Sequence, residues 1–417
     1  MKLVEKYRIA LIMLLPITTL IDAYKFFSIQ SFAVTFSLVT FLTITILSFI
    51  YAFNKQIILK KWIICGCIFM SFICLNYLLT INKSFYSLML VCFFIMGTLF
   101  THHIIREDIF NKYSILLSKL ITGISLYSIY QFFGRKLILP FSDLWFDGFM
   151  VEGFNWTNPV YFSGNPIYRA NGIFKEPSFL SQYAALAILI IIINIMENNK
   201  NKMNFFMLII NIIAMILTMA GTGVIILCIG SVYVIIKMKK KKKLLRIALY
   251  SIILFVLIIS IFDIKPIIEY MFSRINEVKY GTNSGGARFT LGFKILIESL
   301  KVSPFIGNGI GGVSSFLANL NFQNRATADN NITRIGVELG IIGLVLWTLF
   351  QLALINKNNI KNHYYNIFLI FILVNNITGD NFLSMHIWAF IYYINVNIVP
   401  ENNNDKEGVK YDSSFIS

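Results

Sequence analysis

The feature that most constrains this chain is a series of apolar runs, each about as long as a membrane is thick. A hydrocarbon core about 30 Å thick is crossed by about 20 apolar residues in a helix, and such runs recur along most of the 417 residues. The runs are continuous rather than alternating, so helices and not a barrel should do the spanning. Because 57% of the residues are hydrophobic and only 13% charged, with a mean hydropathy of +0.71, an ordinary soluble protein is excluded.

Breaks at charged segments and at segments rich in proline and glycine divide the sequence into twelve candidate spans. The predicted class is therefore an all-α polytopic membrane protein with about 12 transmembrane helices. The spans are 8–22, 29–53, 62–81, 85–101, 114–134, 177–196, 204–220, 222–236, 244–262, 335–355, 363–379 and 381–399, with ends good to about 2 to 4 residues. Around Gly221 and Gly223 the sequence admits a tight hairpin or a single interrupted helix.

Lysine and arginine are distributed unevenly between alternate connections, and this asymmetry predicts the orientation. Successive connections between spans fall into two alternating sets, one on each side of the membrane. The short connections of one set carry most of these residues, including the block KMKKKKKLLR at 237–246. The short connections of the other set carry only Lys25 and Lys83. We therefore predict a multi-pass membrane protein with both termini in the cytoplasm.

Six segments follow from these spans and this orientation. Two large loops face outward, and loops of such length are usually functional or disordered. The segments are N-terminal helices 1–134, a first outer loop 135–176, central helices 177–262, a second outer loop 263–334, C-terminal helices 335–399 and a cytoplasmic tail 400–417.

The second loop contains an amphipathic stretch, ARFTLGFKILIESLKVSP, followed by a glycine-rich turn at residues 304–312. Helical spacing places apolar residues on one face and charged residues on another. The predicted apolar face is Phe289, Phe293, Leu296 and Leu300, and the charged face is Lys294, Glu298 and Lys301. Such a helix would lie along the outer membrane surface or cap a cavity.

Cations and carboxylates gather in or beside the two loops. The cations are Arg169, Lys175, Arg288, Arg325 and Arg334, and the carboxylates are Glu176, Asp329 and Glu338. The guanidinium group of arginine binds phosphate oxygens through two parallel hydrogen bonds, and a nearby carboxylate can accept the proton of a hydroxyl nucleophile. This combination suits an anionic lipid substrate.

A structural interpretation stands beside the functional one. Taken singly, each of these charges serves as an interfacial anchor or a salt bridge. Glu176 precedes Pro177 and so occupies a helix N-cap position, while Arg334 and Glu338 have the spacing of a plain i, i+4 ion pair. Asp380 is expected in a solvated outer turn.

The sequence offers no support for a metal or another cofactor. All five cysteines lie inside apolar runs, where they pack rather than form disulfides or a zinc site. No cluster of histidine, cysteine and aspartate has the spacing of metal ligands. His386 lies at the start of the last span, and an ionisable group at membrane depth is a functional hypothesis by default.

Four blocks in a fixed order resemble the bacterial O-antigen ligase and polymerase superfamily. They are RANGIFKEPSFLSQYAAL, ILTMAGTGVIILCIG, ARFTLGFKILIESLKVSPFIGNGIGGVSSF and ADNNITRIGVELGIIGLVLWTLF, and they cover roughly residues 165–350. Two departures stand out. Ala220 and Gly221 occupy the place of the family's Ser-Arg pair, and Asp329 and Asn330 replace the histidine motif typical of ligases, which favours a polymerase.

The resemblance implies a GT-C-like fold and a glycosyltransferase that needs neither nucleotide sugar nor metal. Its substrate would be an oligosaccharide repeat unit on undecaprenyl pyrophosphate, polymerised at the outer face of the bacterial cytoplasmic (inner) membrane into O-antigen of lipopolysaccharide or into capsule. A chain-length regulator protein would be a partner. The alternatives are an O-antigen ligase acting on lipid A core and a flippase for the lipid-linked unit.

The resemblance also implies roles for individual residues. Arg169 and Arg288 match the family's arginines and would bind and neutralise the departing pyrophosphate. Lys175, Arg325 and Arg334 would extend that cationic surface. Asp329 is the first candidate for the general base and Glu176 the second.

Overall fold

The computed structural model describes twelve stretches of the chain, and the account below concerns these alone. They are residues 2–29, 32–53, 60–100, 103–143, 148–152, 154, 159–162, 165–197, 202–237, 290–319, 330–380 and 382–400.

Helices make up most of the described residues. In chain order they are α1 Lys2–Thr18, α2 Phe36–Phe53, α3 Lys61–Leu79, α4 Phe85–Phe100, α5 Glu107–Leu137, α6 Pro177–Glu197, α7 Lys202–Leu217, α8 Gly221–Lys237, α9 Gly292–Val302, α10 Val313–Asn319, α11 Asn331–Leu354, α12 His363–Thr378 and α13 Met385–Ile394. Short 3-10 turns lie at Thr19–Ile21 and Lys357–Lys361. The predicted span 244–262 lies outside the described residues.

By length and composition, α3, α5, α6 and α11 can each cross a membrane, and six further apolar helices of 10–17 residues accompany them. The prediction of a helical membrane protein is confirmed, since these helices correspond to runs found in the sequence.

Three small strand pairs qualify the all-α prediction. Strand β1 (Lys25–Ile29) pairs antiparallel with β2 (Phe32–Thr35), and β4 (Pro159–Phe162) pairs antiparallel with β5 (Asn165–Tyr168). Strand β3 (His103–Arg106) runs parallel to β6 (Val396–Val399).

The strands shorten two of the predicted spans. The span predicted at 29–53 begins as a helix only at Phe36, because the preceding residues pair as a hairpin. The span predicted at 381–399 is helical only over Met385–Ile394. There the Asn395 amide donates to the Thr98 carbonyl at 2.8 Å, and the chain continues as β6.

Helix α6 is the central element of the bundle, since most of its residues are buried by α5, α7, α8 and α12. Its contact with α8 is close, because a Cβ at Gly223 would lie 2.2 Å from the Ser181 carbonyl oxygen. Residues 218–220 form a turn between α7 and α8. The sequence around Gly221 is therefore a hairpin of two helices, the first of the two predicted alternatives.

The amphipathic stretch folds as α9, but its buried face differs from the predicted one. Leu296 is buried as expected, whereas Phe293 is 41% exposed and Ile295 is buried in its place. The reason is a second, smaller core in which Ile295 meets the apolar residues Val313, Phe316, Leu317 and Val337 of α10 and α11. Helix α9 therefore packs against α11.

One end of the bundle, here termed the loop end, contains a cavity with one of the predicted site residues, Lys175, in its wall. It is defined by Thr19, Thr35, Tyr86, Lys175 and Ser384, which line one cavity although they belong to five separate parts of the chain. Strands β3 and β6 lie at the other end of the bundle. Each follows a helix, α4 or α13, whose first residues are at the loop end.

Candidate functional site

The segment 169–176, which the sequence predicts to bind substrate, is held against the last turns of α5. Gln131 of α5 is buried, and its amide oxygen accepts hydrogen bonds from the N–H groups of Asn171 (3.0 Å) and Gly172 (2.8 Å). Its amide nitrogen donates to the Gly172 carbonyl at 3.3 Å. Because buried backbone groups need partners, Gln131 fixes the path of this bend.

Arg135 makes a second attachment, one helical turn further along α5. Its side chain is only 5% exposed, and its Nε donates to Asp143 Oδ1 at 2.6 Å. Its Nη1 donates to the Arg169 carbonyl at 2.9 Å, and its Nη2 to Asn171 Oδ1 at 3.3 Å. The sequence prediction missed this role, because a basic residue at the end of a span resembles an interfacial anchor.

A cavity of about 320 Å³ lies at the loop end, walled by α2, α4, α6, α13 and the loops between helices. Its wall is largely apolar and aromatic, with a few polar groups of both charge signs. Those used below are Asp22, Tyr86, Glu152, Lys175, Ser384 and His386. Both the size and this mixed lining are typical of small-molecule sites, which occupy roughly 300–1,000 Å³.

Asp22 lies just beyond the apolar segment Tyr7–Ile21 and lines this cavity. The Ser37 hydroxyl donates to its Oδ1, and Thr35 Oγ1 lies 3.1 Å from Ser37 Oγ. Burial raises the pKa of the Asp22 carboxyl above its ordinary value. The Ser37 and Thr35 hydroxyls and the charge of Lys175 oppose that rise.

Lys175 is the predicted binding residue that the structure brings into the cavity. It has no ion-pair partner among the described residues. Its charge acts on Asp22 across the cavity. An amine without a carboxylate partner, in a pocket at the end of apolar helices, is suited to an anionic ligand.

His386, at the start of α13, connects the cavity to the central helix. It is 5% exposed, and its Nδ1 shares a 3.2 Å hydrogen bond with the Tyr183 hydroxyl. That hydroxyl is also bonded to Thr19 Oγ1. His386 Nε2 has no hydrogen-bond partner within the described part of the chain. The histidine that the sequence indicated at membrane depth therefore lines the site.

Arg334 lies between two carboxylates. Its Nε donates to Glu338 Oε1 at 3.1 Å, which is the predicted i, i+4 pair, and its Nη1 donates to both Asp380 oxygens at 2.8 and 2.9 Å. The expectation that Asp380 is solvated is wrong, because its side chain is only 11% exposed. The reason is the compact turn after α12, where the Gly379 carbonyl accepts from the Asn331 N–H.

Helix α11, which carries Arg334 and Glu338, is broken at Gly340, where φ is +65° and ψ −165°. The glycine-rich turn fills the break. The Ile341 N–H donates to the Pro304 carbonyl at 2.9 Å, and the Gly309 N–H donates to the Glu338 carbonyl at 2.9 Å. Backbone groups freed by a broken membrane helix must find partners within the protein, and this turn supplies them.

Glu176 occupies the N-cap position predicted for it. Its backbone carbonyl accepts from the Phe179 N–H at 3.2 Å, and its Oε2 accepts from the Ser178 hydroxyl at 3.1 Å. Three other predicted site residues, Arg288, Arg325 and Asp329, lie outside the described residues. In the described part, no group of three or more His, Cys, Asp or Glu side chains could hold a metal ion.

A family model described as O-antigen ligase matches residues 206–348. The matched segment covers about a third of the chain and contains α8, α9, α10, the glycine-rich turn and the Arg334–Glu338 pair. No curated protein matches the chain. All residues that line the cavity lie outside the matched segment.

Proposed function

We propose that the chain polymerises lipid-linked oligosaccharide repeat units, because residues 206–348 match a family model described as O-antigen ligase. The substrates are units carried on undecaprenyl pyrophosphate, and the site is the outer face of the bacterial cytoplasmic membrane. The observation that carries the proposal is the cavity at the loop end, where Lys175, which has no ion-pair partner in the described part of the chain, acts on the buried Asp22 carboxyl.

Orientation follows from the basic connections. In the sequence, the short connections of one set, including the block at 237–246, carry most of the lysine and arginine residues, whereas those of the other set carry only Lys25 and Lys83, close in the chain to the cavity-lining Ala23 and Tyr86. Short connections rich in Lys and Arg stay in the cytoplasm. The loop end is then the outer end, where a flipped lipid-linked unit arrives.

The reaction makes two demands on the protein. The departing pyrophosphate carries high negative charge, and preorganised cations in a site of low dielectric stabilise such charge. Lys175 supplies one cation in the cavity, and the sequence resemblance assigns the same role to Arg169 and Arg288, with Arg325 extending the cationic surface. Arg334 contributes mainly by holding α11, since two carboxylates occupy its guanidinium.

A ligase is the second candidate, and the description of the matching family favours it. The residues at the end of the second loop favour a polymerase, because Asp329 and Asn330 stand where ligases carry histidine. The Asn330 side chain accepts from the Thr333 N–H at 2.7 Å and so caps α11. We therefore rank polymerisation first.

The test uses the natural host with its own gene deleted and variants supplied in its place. Surface polysaccharide is then separated by length. For a polymerase, deletion leaves single repeat units and removes the long chains. For a ligase or a flippase, deletion removes the single-unit product as well.

Lys175→Ala should reduce long-chain polysaccharide about 10²-fold, as for the loss of one donor to a transition-state anion. The matched control is Lys301→Ala, since the Lys301 side chain is 65% exposed and pairs with Glu298 of its own helix. Normal chain lengths in Lys175→Ala, at a protein level equal to that of the control, would refute the cationic role of Lys175.

A further inference from the structure

We propose that the loop-end cavity holds the sugar that accepts the growing chain, and that Asp22 takes the proton of its attacking hydroxyl. This inference rests on the proposed function and gives the cavity a role within it. Asp22 then replaces Asp329 and Glu176, the two bases predicted from sequence.

The lining of the cavity fits a sugar better than it fits a lipid tail or an ion. Sugar hydroxyls need hydrogen-bond acceptors and donors, which Asp22, Glu152, Ser384 and His386 provide. The apolar faces of a sugar ring pack on aromatic side chains, and Phe179 lies in the same wall. The volume of about 320 Å³ admits a short saccharide.

The Asp22 carboxylate is held in one orientation by neighbouring hydroxyl groups. Oδ1 accepts from the Ser37 hydroxyl, which orients the carboxylate. Ser37 is itself buried and is positioned by Thr35. A base whose orientation is fixed by a second group, itself held in place, has the arrangement required for proton transfer.

Glu176 is less suited to this role than Asp22. Its carboxylate accepts from Ser178 in the first turn of α6, and it does not line the cavity. The other cavity carboxylate, Glu152, has no equivalent of the Ser37 and Thr35 support in the described contacts. Asp22 is thus the carboxylate that is both in the cavity and held in place.

The step balances without a co-reactant. The acceptor hydroxyl oxygen forms a bond to the anomeric carbon of the donor chain, and the bond from that carbon to the pyrophosphate oxygen breaks. The bonding pair leaves with undecaprenyl pyrophosphate, whose charge Lys175 offsets. The hydroxyl proton passes to Asp22 and from there to water.

The groups around Asp22 also predict the pH dependence. Those that face it across the cavity are Lys175, Glu152, Tyr86 and His386. Burial raises the pKa of the Asp22 carboxyl, and a base is inactive once protonated. Activity should therefore fall on acidification at a higher pH than an ordinary carboxyl would cause.

The experiment uses the full-length protein in lipid vesicles, with the undecaprenyl-pyrophosphate-linked unit extracted from the deletion strain as both donor and acceptor. Asp22→Asn should lower kcat by about 10²–10⁴-fold, the usual contribution of a general base, with KM changed less than threefold. Glu298→Gln is the matched control, since it removes a carboxylate from the exposed face of helix α9.

Ser37→Ala keeps Asp22 but removes a hydrogen bond that lowers the pKa of its carboxyl. Its acidic limb should therefore move to higher pH, an effect that simple loss of packing would not produce. Normal kcat in Asp22→Asn, or an unmoved acidic limb in Ser37→Ala, would overturn the inference while polymerisation by the wild type still stood. A wild type that forms no polymer would overturn the proposed function itself.

Discussion

At the scale of single residues, the site depends on side chains that hold backbone in place. Gln131 and Arg135 project from consecutive turns of α5 and bind the backbone of residues 169–172. Neither is a predicted binding residue, yet both fix the position of the backbone from which the Arg169 and Lys175 side chains extend. A loop attached in this way presents its charges without further ordering when a ligand arrives.

Arg135→Leu should therefore weaken both fold and activity. It leaves Asp143 and the Arg169 carbonyl without this partner, which should cost about 1–3 kcal/mol in the free energy of unfolding. Thermal unfolding of the detergent-solubilised protein measures the loss, and limited proteolysis near residue 170 reports release of the loop.

Arg106→Leu is the control for that measurement. Arg106 also pairs with an aspartate, but its side chain is 39% exposed, so its loss should cost less than about 1 kcal/mol. Equal shifts in melting temperature for the two variants would show that the Arg135 contacts stabilise the fold no more than the exposed Arg106 pair does.

At the scale of elements, helix α11 shows what a glycine can permit. Gly340 adopts a conformation that is essentially restricted to glycine, and a Cβ there would lie 2.4 Å from the Phe305 carbonyl oxygen. The break turns the carbonyl groups near Glu338 toward the glycine-rich turn. The ion pairs of Arg334 then join α11 to the end of α12.

Gly340→Ala should be strongly destabilising, by about 3 kcal/mol, because the strained conformation and the close carbonyl act together. Gly123→Ala offers a matched control, since nothing lies within 4 Å of a Cβ at that position in α5. The control should be unchanged or gain up to about 1 kcal/mol from helix propensity. Thermal unfolding distinguishes them, and equal stability of the two variants would contradict the role assigned to the break.

Elements also show which parts of the fold were predictable. Long apolar runs such as Pro177–Glu197 are visible in the sequence because hydropathy alone determines them. The hairpin β1–β2, strand β6 and the break at Gly340 were not predicted, since each depends on hydrogen bonds to a particular backbone partner. Hydropathy carries no information about such partners.

At the scale of the whole molecule, the candidate site is assembled from distant parts of the chain. Lys175 was predicted from its place beside a span, whereas Asp22 was missed because a lone aspartate after a helix is usually a solvated end. Only the packing of α2, α4, α6 and α13 brings these two charges to one cavity. The family match covers residues 206–348, and the residues that line the cavity all lie outside it.

The most direct test of the account is elongation by the purified protein in vesicles, with the lipid-linked repeat unit as its substrate. Product length is read by gel separation and mass spectrometry. The account predicts glycans of two or more repeat units and release of undecaprenyl pyrophosphate in step with each new linkage. Repeat units that stay single, while lipid A core added to the vesicles becomes glycosylated, would contradict it.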